Sequence, residues 1–120
     1  MFTVHTAYVA VTLITACLNA AVAVGDLVKA RFVLATSREV GVPNAWLPYL
    51  GALKAAGAAG LLLGLLGIRP LGIAAAVGLV LFFLGALGAH VRARVFHNIA
   101  FPLAFFALAV AALTLVVVQG

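Results

Sequence analysis

Four long apolar stretches make up most of this 120-residue chain. They cover about residues 2–24, 46–67, 70–91 and 98–118, and are called spans 1 to 4 below. Each is long enough to cross a bilayer, since a helix needs about 20 apolar residues to span about 30 Å of hydrocarbon. With 68% hydrophobic and 8% charged residues, the chain has too little polar surface to coat a water-soluble globule. The composition therefore indicates an integral membrane protein.

The spacing of the spans predicts an all-α fold, an antiparallel four-helix transmembrane bundle that forms one domain over residues 1–120. Only the connection between spans 1 and 2 is long. Its residues 29–40 mix charged and apolar side chains, so they either continue the first helix or form a short amphipathic helix along the interface. Gly41 and Pro43 end that segment, while Gly67 and Pro70 predict a tight hairpin between spans 2 and 3.

The net charge of +5 is concentrated in the connections between the spans. Connections one and three must share a side of the membrane, and they hold five basic residues against Arg69 alone in connection two: Lys29, Arg31, Arg38, Arg92 and Arg94. The positive-inside rule places these two connections in the cytoplasm and both termini outside. We therefore predict a multi-pass protein of the bacterial inner membrane, whose basic residues face the lipid bilayer surface rather than nucleic acid.

Thiol and metal chemistry receive little support from the sequence. Cys17 is the only cysteine, which excludes a disulfide within one chain. His90 and His97 are seven residues apart, and the chain has only two acidic residues, Asp26 and Glu39. This set does not resemble a metal-ligand pattern, so we predict no metal site.

Polar residues follow one face of span 1. At 100° per residue, six of them fall within an arc of about 80°, namely His5, Tyr8, Thr12, Thr15, Asn19 and Asp26. Exposing Asn19 or an ionised Asp26 to lipid is costly, so this face is expected to turn inward and is a candidate binding surface. The alternative is purely structural, with Thr12 and Thr15 bonding back to their own helix and Asn19 bridging to a neighbour.

Three ionisable residues lie at a similar depth near the cytoplasmic ends of the helices: Asp26, Lys54 and His90. They are the candidate catalytic residues. We predict that Lys54 pairs with Asp26 inside the bundle, which leaves His90 as the unpaired ionisable group. In the alternative, Lys54 extends its long stem along the lipid face to the interface and needs no partner.

The remaining candidates lie around connection three and in the apolar spans. Arg92, Arg94 and Asn98 could bind an anionic head group or a carboxylate of a partner, or they could act only as topology anchors. Gly60 and Gly64 predict close helix packing, either inside the bundle or at a homodimer face. Five phenylalanines could line an apolar pocket or simply pack: Phe82, Phe83, Phe101, Phe105 and Phe106.

Several motifs in order resemble the DoxX-like family over nearly the whole chain: Val42-Pro43, Leu50-Gly51-Ala52-Leu53-Lys54-Ala55-Ala56-Gly57, Gly60-Leu61-Leu62, Gly72-Ile73-Ala74-Ala75, and Gly85-Ala86 to His90-Val91-Arg92-Ala93-Arg94. The resemblance implies a small four-helix protein of the bacterial inner membrane. The family name traces to a subunit associated with a terminal quinol oxidase, and relatives are linked to redox complexes and to membrane-protein assembly. Many members carry glutamate where Lys54 stands here and an acidic residue where Val95 stands.

Three function classes follow. The first is an accessory or assembly subunit of a redox-linked membrane complex that binds a protein partner, a hydrophobic small molecule or a lipidic quinone. The second is a small membrane enzyme for a hydrophobic substrate, with Asp26 or His90 as acid or base and Lys54 or Arg92 holding an oxygen. The third is an oligomeric transporter or channel for a small solute, because one four-helix unit is thin for a pathway.

Overall fold

The computed structural model describes residues 3–119, and its regular structure is entirely helical over that range. The helices are α1 (Val4–Leu27), α2 (Arg31–Val40), α3 (Leu47–Leu65), α4 (Arg69–Arg92) and α5 (Ala100–Gln119), with one 3₁₀ turn at Asn44–Trp46. Four of them, α1, α3, α4 and α5, are long and apolar enough to cross a membrane. They correspond to spans 1 to 4.

The long helices pack in a ring in which α1 contacts α3 and α5, and α4 contacts the same two helices from the other side. The predicted four-helix bundle is confirmed. The helix ends differ by a few residues from the approximate predicted spans, since α1 continues to Leu27 and α5 begins at Ala100. Asp26 therefore lies inside the last turn of α1, and Asn98 precedes α5 instead of opening it. The predicted start of span 1 at residue 2 lies outside the described residues.

Helix α2 is the predicted short amphipathic helix. Its residues Val33, Ser37 and Val40 are buried, which is the spacing of one helical face, whereas Arg31 and Arg38 are exposed. The helix ends at Gly41 as predicted, in the left-handed conformation with φ of 76°. A separate amphipathic helix, and not a continuation of α1, thus lies across one end of the bundle.

Helices α3 and α4 form the predicted tight hairpin around Gly67, whose φ of 115° favours glycine. Glycines let the two backbones approach closely: a Cβ added at Gly64 would lie 2.6 Å from the Gly72 Cα, and one at Gly60 would lie 2.6 Å from the Ala75 Cβ. Gly60 and Gly64 therefore serve packing inside the bundle. In lipid, such close contact is a main source of helix association.

Polar side chains lie at both ends of the bundle, in different arrangements. At one end the His5 Nδ1 lies 2.7 Å from the Gln119 side-chain oxygen, and Arg69 donates to the Val116 carbonyl. At the other end lie α2, the α4–α5 connection and the three candidate ionisable residues. There the exposed Glu39 of α2 pairs with the exposed His97, which links α2 to the α4–α5 connection. The candidate site lies at this second end.

Candidate functional site

The polar face of α1 points into the bundle, as predicted from its spacing. Thr12, Thr15 and Asn19 are at most 1% exposed, and Tyr8 and Asp26 are also buried. His5 is the exception, since it is exposed. It lies in the first turn of α1, beyond the packed middle of the bundle.

The hydrogen bonds on this face are mostly internal to α1. The Thr15 hydroxyl donates to the Val11 carbonyl, and the Asn19 amide donates to the Thr15 carbonyl. The expectation that Asn19 bridges to a neighbouring helix is therefore wrong. Among residues 3–119, the Thr12 hydroxyl and the Asn19 Oδ1 are buried without a hydrogen-bond partner. Of the three bonds that the structural alternative predicts, only the bond of Thr15 back to its own helix is confirmed.

Asp26 and Lys54 form an ion pair inside the bundle. The Lys54 Nζ lies 2.8 Å from the Asp26 Oδ2, and the side chains are 11% and 4% exposed, respectively. The predicted pairing is confirmed, and the alternative in which Lys54 extends along the lipid face is wrong. Gly51 lets α1 and α3 approach closely beside the pair, because a Cβ there would lie only 3.0 Å from the Asp26 Cβ. One turn later, Lys54 reaches the carboxylate across that close contact.

Lys54 also lies against an aromatic ring. Its Nζ is 5.1 Å from the centre of the Phe82 ring, within the range of a cation–π contact. Phe82 in turn packs edge-on against Phe83, with ring centres 5.1 Å apart. The cation is therefore held between a carboxylate and an aromatic face. This arrangement restrains the position of the ammonium group.

His90 is the third candidate, and it is 5% exposed in the last turn of α4. Its Nδ1 lies 2.9 Å from the Ala86 carbonyl oxygen. Because a carbonyl can only accept a hydrogen bond, Nδ1 carries the proton. The other ring nitrogen, Nε2, is buried and has no hydrogen-bond partner among residues 3–119.

These residues line one cavity of about 620 Å³ at the α2 end of the bundle. All five α-helices contribute to it, and most of the lining is apolar. Its polar lining residues are Asp26, Thr36, Ser37, Lys54, His90 and Asn98. Four of the five predicted phenylalanines line it: Phe82, Phe83, Phe101 and Phe105. Phe106 does not belong to this lining.

The rim of the cavity is apolar and exposed. Leu53, Leu81 and Phe101 line the cavity and are 58%, 62% and 70% exposed. All three lie on helices long enough to span the membrane, so acyl chains of the bilayer would surround them. The polar residues Asp26, Lys54 and His90 are buried inside this rim. Such a cavity has the polarity of an amphiphile, with an apolar opening and a polar interior.

The predicted residues of connection three divide into two groups. Asn98 lines the cavity, and its Oδ1 is buried without a partner among the described residues. Arg92 and Arg94 are exposed and do not line it. The contributions of α2 and of Trp46 to the cavity were not predicted, and Trp46 lies exposed at the cavity rim. The buried face of α2 was the available signal, although spacing alone could not say what it covers.

Residues 3–119 contain no group of three histidine, cysteine or acidic side chains placed to hold a metal ion.

Comparison with known proteins identifies a family for this chain. Residues 10–112 of the 120-residue chain match the sequence pattern of the DoxX-like family. No curated protein and no solved structure matches this chain.

Proposed function

The chain belongs to the DoxX-like family, and we propose that it is an accessory membrane subunit that binds an amphiphilic lipid-like molecule in the cavity beneath α2. The main support for this proposal is the polarity of that cavity, which combines buried polar residues with an exposed apolar rim. A lipidic quinone is one such molecule, since it joins a polar ring to an apolar tail. The cavity volume lies in the range of small-molecule sites.

The position of the rim supports entry from the bilayer. Leu53 and Leu81 are exposed on membrane-spanning helices, so a ligand dissolved in the membrane reaches the cavity without crossing water. The buried ion pair supports a binding role as well. Burying two charges costs several kcal/mol per ion before their attraction is counted, and an apolar pair would be cheaper to bury. Ionisable residues buried within membrane-spanning segments often mark a functional site.

Binding is expected to quench the fluorescence of Trp46, the only tryptophan of the chain and a residue of the cavity rim. Titrating decylubiquinone into the purified protein in detergent micelles should give saturable quenching, because the quinone ring accepts excitation energy at short range. Replacing Ala86, which lines the cavity, with phenylalanine should abolish the saturable component by filling the site.

The matched control is Ala104→Phe, since Ala104 is exposed on α5 and outside the cavity lining. This variant should bind as the parent protein does. Linear, non-saturable quenching that is equal in all three proteins would show only partition of the quinone into the micelle, and would overturn the proposal that the cavity binds a lipidic quinone.

The enzymatic alternative has one supporting observation, the unpartnered Nε2 of His90 in the same cavity lining. A neutral imidazole nitrogen can act as a general base. Asp26 is less suited to that role because Lys54 already binds its carboxylate. Turnover of a hydrophobic substrate by the purified protein, lost in His90→Gln, would favour this alternative over a binding subunit.

We also propose that the α2 end faces the cytoplasm of a bacterial inner membrane, with both termini outside, on the basis of the basic residues of connections one and three. In a Cys17→Ala background, Leu66→Cys should react with a membrane-impermeant maleimide in spheroplasts, whereas Ala35→Cys should react only after lysis. Both positions are exposed in the folded chain. The reverse pattern of labelling would invert the proposed topology.

A further inference from the structure

The hydrogen-bonding groups of the cavity narrow the chemistry of its ligand. Two buried acceptors in the lining have no partner among residues 3–119, the Nε2 of His90 and the Oδ1 of Asn98. The Nδ1 proton of His90 is already donated to the Ala86 carbonyl, so Nε2 of the neutral ring can only accept. A buried acceptor without a donor costs free energy. The lining therefore favours a ligand that donates a hydrogen bond.

The same lining offers donors from one side chain. Lys54 carries three N–H groups, and one of them is directed to the Asp26 Oδ2 at 2.8 Å. Within the described part of the chain, the other two have no hydrogen-bond acceptor and can donate to a ligand oxygen. A head group that both donates and accepts would therefore use Lys54 together with His90 or Asn98.

The charges of the lining disfavour a strongly charged head group. Asp26 and Lys54 neutralise each other, and the remaining polar lining residues carry no formal charge when His90 is neutral. An anionic or cationic ligand would have to bury its charge without a free counter-charge, which is costly in an apolar site.

We propose that the cavity binds an uncharged amphiphile with a hydroxyl head group. This inference rests on the proposed binding function and specifies its ligand class. The hydroxyl donates to the Nε2 of His90 or to the Oδ1 of Asn98, and its oxygen accepts from Lys54. The cavity of 620 Å³ holds about 20 non-hydrogen atoms at the ~30 Å³ that liquid water occupies per molecule. Among quinone-type ligands, the same reasoning ranks the hydroquinone above the quinone.

A matched pair of brominated probes tests the hydroxyl directly. 11-Bromoundecan-1-ol and its methyl ether share a chain and an oxygen, and differ in the O–H group. Bromine quenches tryptophan at short range, so both report through Trp46. We expect the alcohol to bind about tenfold more tightly than the ether in the parent protein, since an unsatisfied buried acceptor costs about one factor of ten in affinity.

At least one of His90→Phe and Asn98→Leu, each of which removes one unpartnered acceptor, is expected to remove most of this preference. The control His5→Phe is expected to retain it, because His5 is exposed at the opposite end. Comparing the alcohol-to-ether ratio among these variants cancels different partition of the probes into micelles. Circular dichroism of both cavity variants verifies the fold, and Asn98→Leu remains informative if His90→Phe fails to fold.

Equal binding of alcohol and ether would overturn the hydroxyl inference and leave the binding function standing. The hydroxyl inference also fails if the alcohol-to-ether affinity ratio is unchanged in both His90→Phe and Asn98→Leu. It fails as well if decylubiquinone binds while neither brominated probe does. Absence of saturable quenching by all three probes would overturn the binding function and this inference together.

Discussion

Replacing Lys54 with methionine is expected to lower the free energy of unfolding by about 3–5 kcal/mol, the usual cost of breaking a buried ion pair. The substitution leaves the Asp26 carboxylate, which is 3% exposed, without its partner. The double variant Lys54→Met/Asp26→Asn should be more stable than Lys54→Met alone, because the second change removes the uncompensated charge. Reversible unfolding of the purified protein by sodium dodecyl sulfate in mixed micelles measures these differences.

Lys29→Met is the matched control for this experiment, because it removes the same ammonium group from an exposed position. Its effect should stay within about 0.5 kcal/mol, as for most surface substitutions. A double-mutant cycle gives the coupling directly. If the two single variants at Asp26 and Lys54 simply add, the side chains do not stabilise each other, and the ion pair is not part of the folding energetics.

Gly64→Ala is expected to destabilise the protein by about 1–3 kcal/mol, the usual cost of overpacking a tight contact. The added methyl group would lie 2.6 Å from the Gly72 Cα. Backbone atoms on α4 cannot rotate away as a side chain can, so α3 and α4 must separate. Unfolding in sodium dodecyl sulfate, together with thermal unfolding in detergent, measures the effect.

Gly78→Ala is the control, since a methyl group added at Gly78 on α4 would point into open space. That change should leave stability unchanged or raise it by about 0.5–1 kcal/mol, because alanine favours the helix over glycine. Equal destabilisation by both variants would mean that glycine content, and not the α3–α4 contact, matters at Gly64.

Much of the fold follows from one-dimensional patterns. The length and apolarity of the spans predict four membrane helices, because hydrocarbon forces the backbone to satisfy its own hydrogen bonds. The 100° spacing places Tyr8, Thr12, Thr15, Asn19 and Asp26 on one face, and that face is buried in the structure. The pairing of Lys54 with Asp26 was also predictable, because the chain offers only two acidic residues and burial of an unpaired charge is costly.

The predictions differed from the structure where several local interactions were possible for the same residue. Asn98 was expected to open the fourth long helix, but Pro102 fits the first turn of a helix that begins at Ala100. In the structural alternative for the α1 face, Asn19 bridges to a neighbouring helix, yet its amide donates within α1 to the Thr15 carbonyl. A sequence shows which groups need hydrogen bonds, but it does not show which of several acceptors lies nearest.

The cavity could not be predicted from the sequence, because its lining comes from helices that are far apart in sequence. No spacing rule relates Trp46 or Ser37 to His90, and the exposed rim at Phe101 depends on how α5 packs against α4. The sequence by itself determined the membrane environment, the number of spans and the buried polar face of α1, since these depend on periodicity and on the cost of polar groups in lipid. The tertiary structure alone decided that α2 covers a cavity and that the ion pair, His90 and Asn98 share it, because such proximity depends on packing between distant segments.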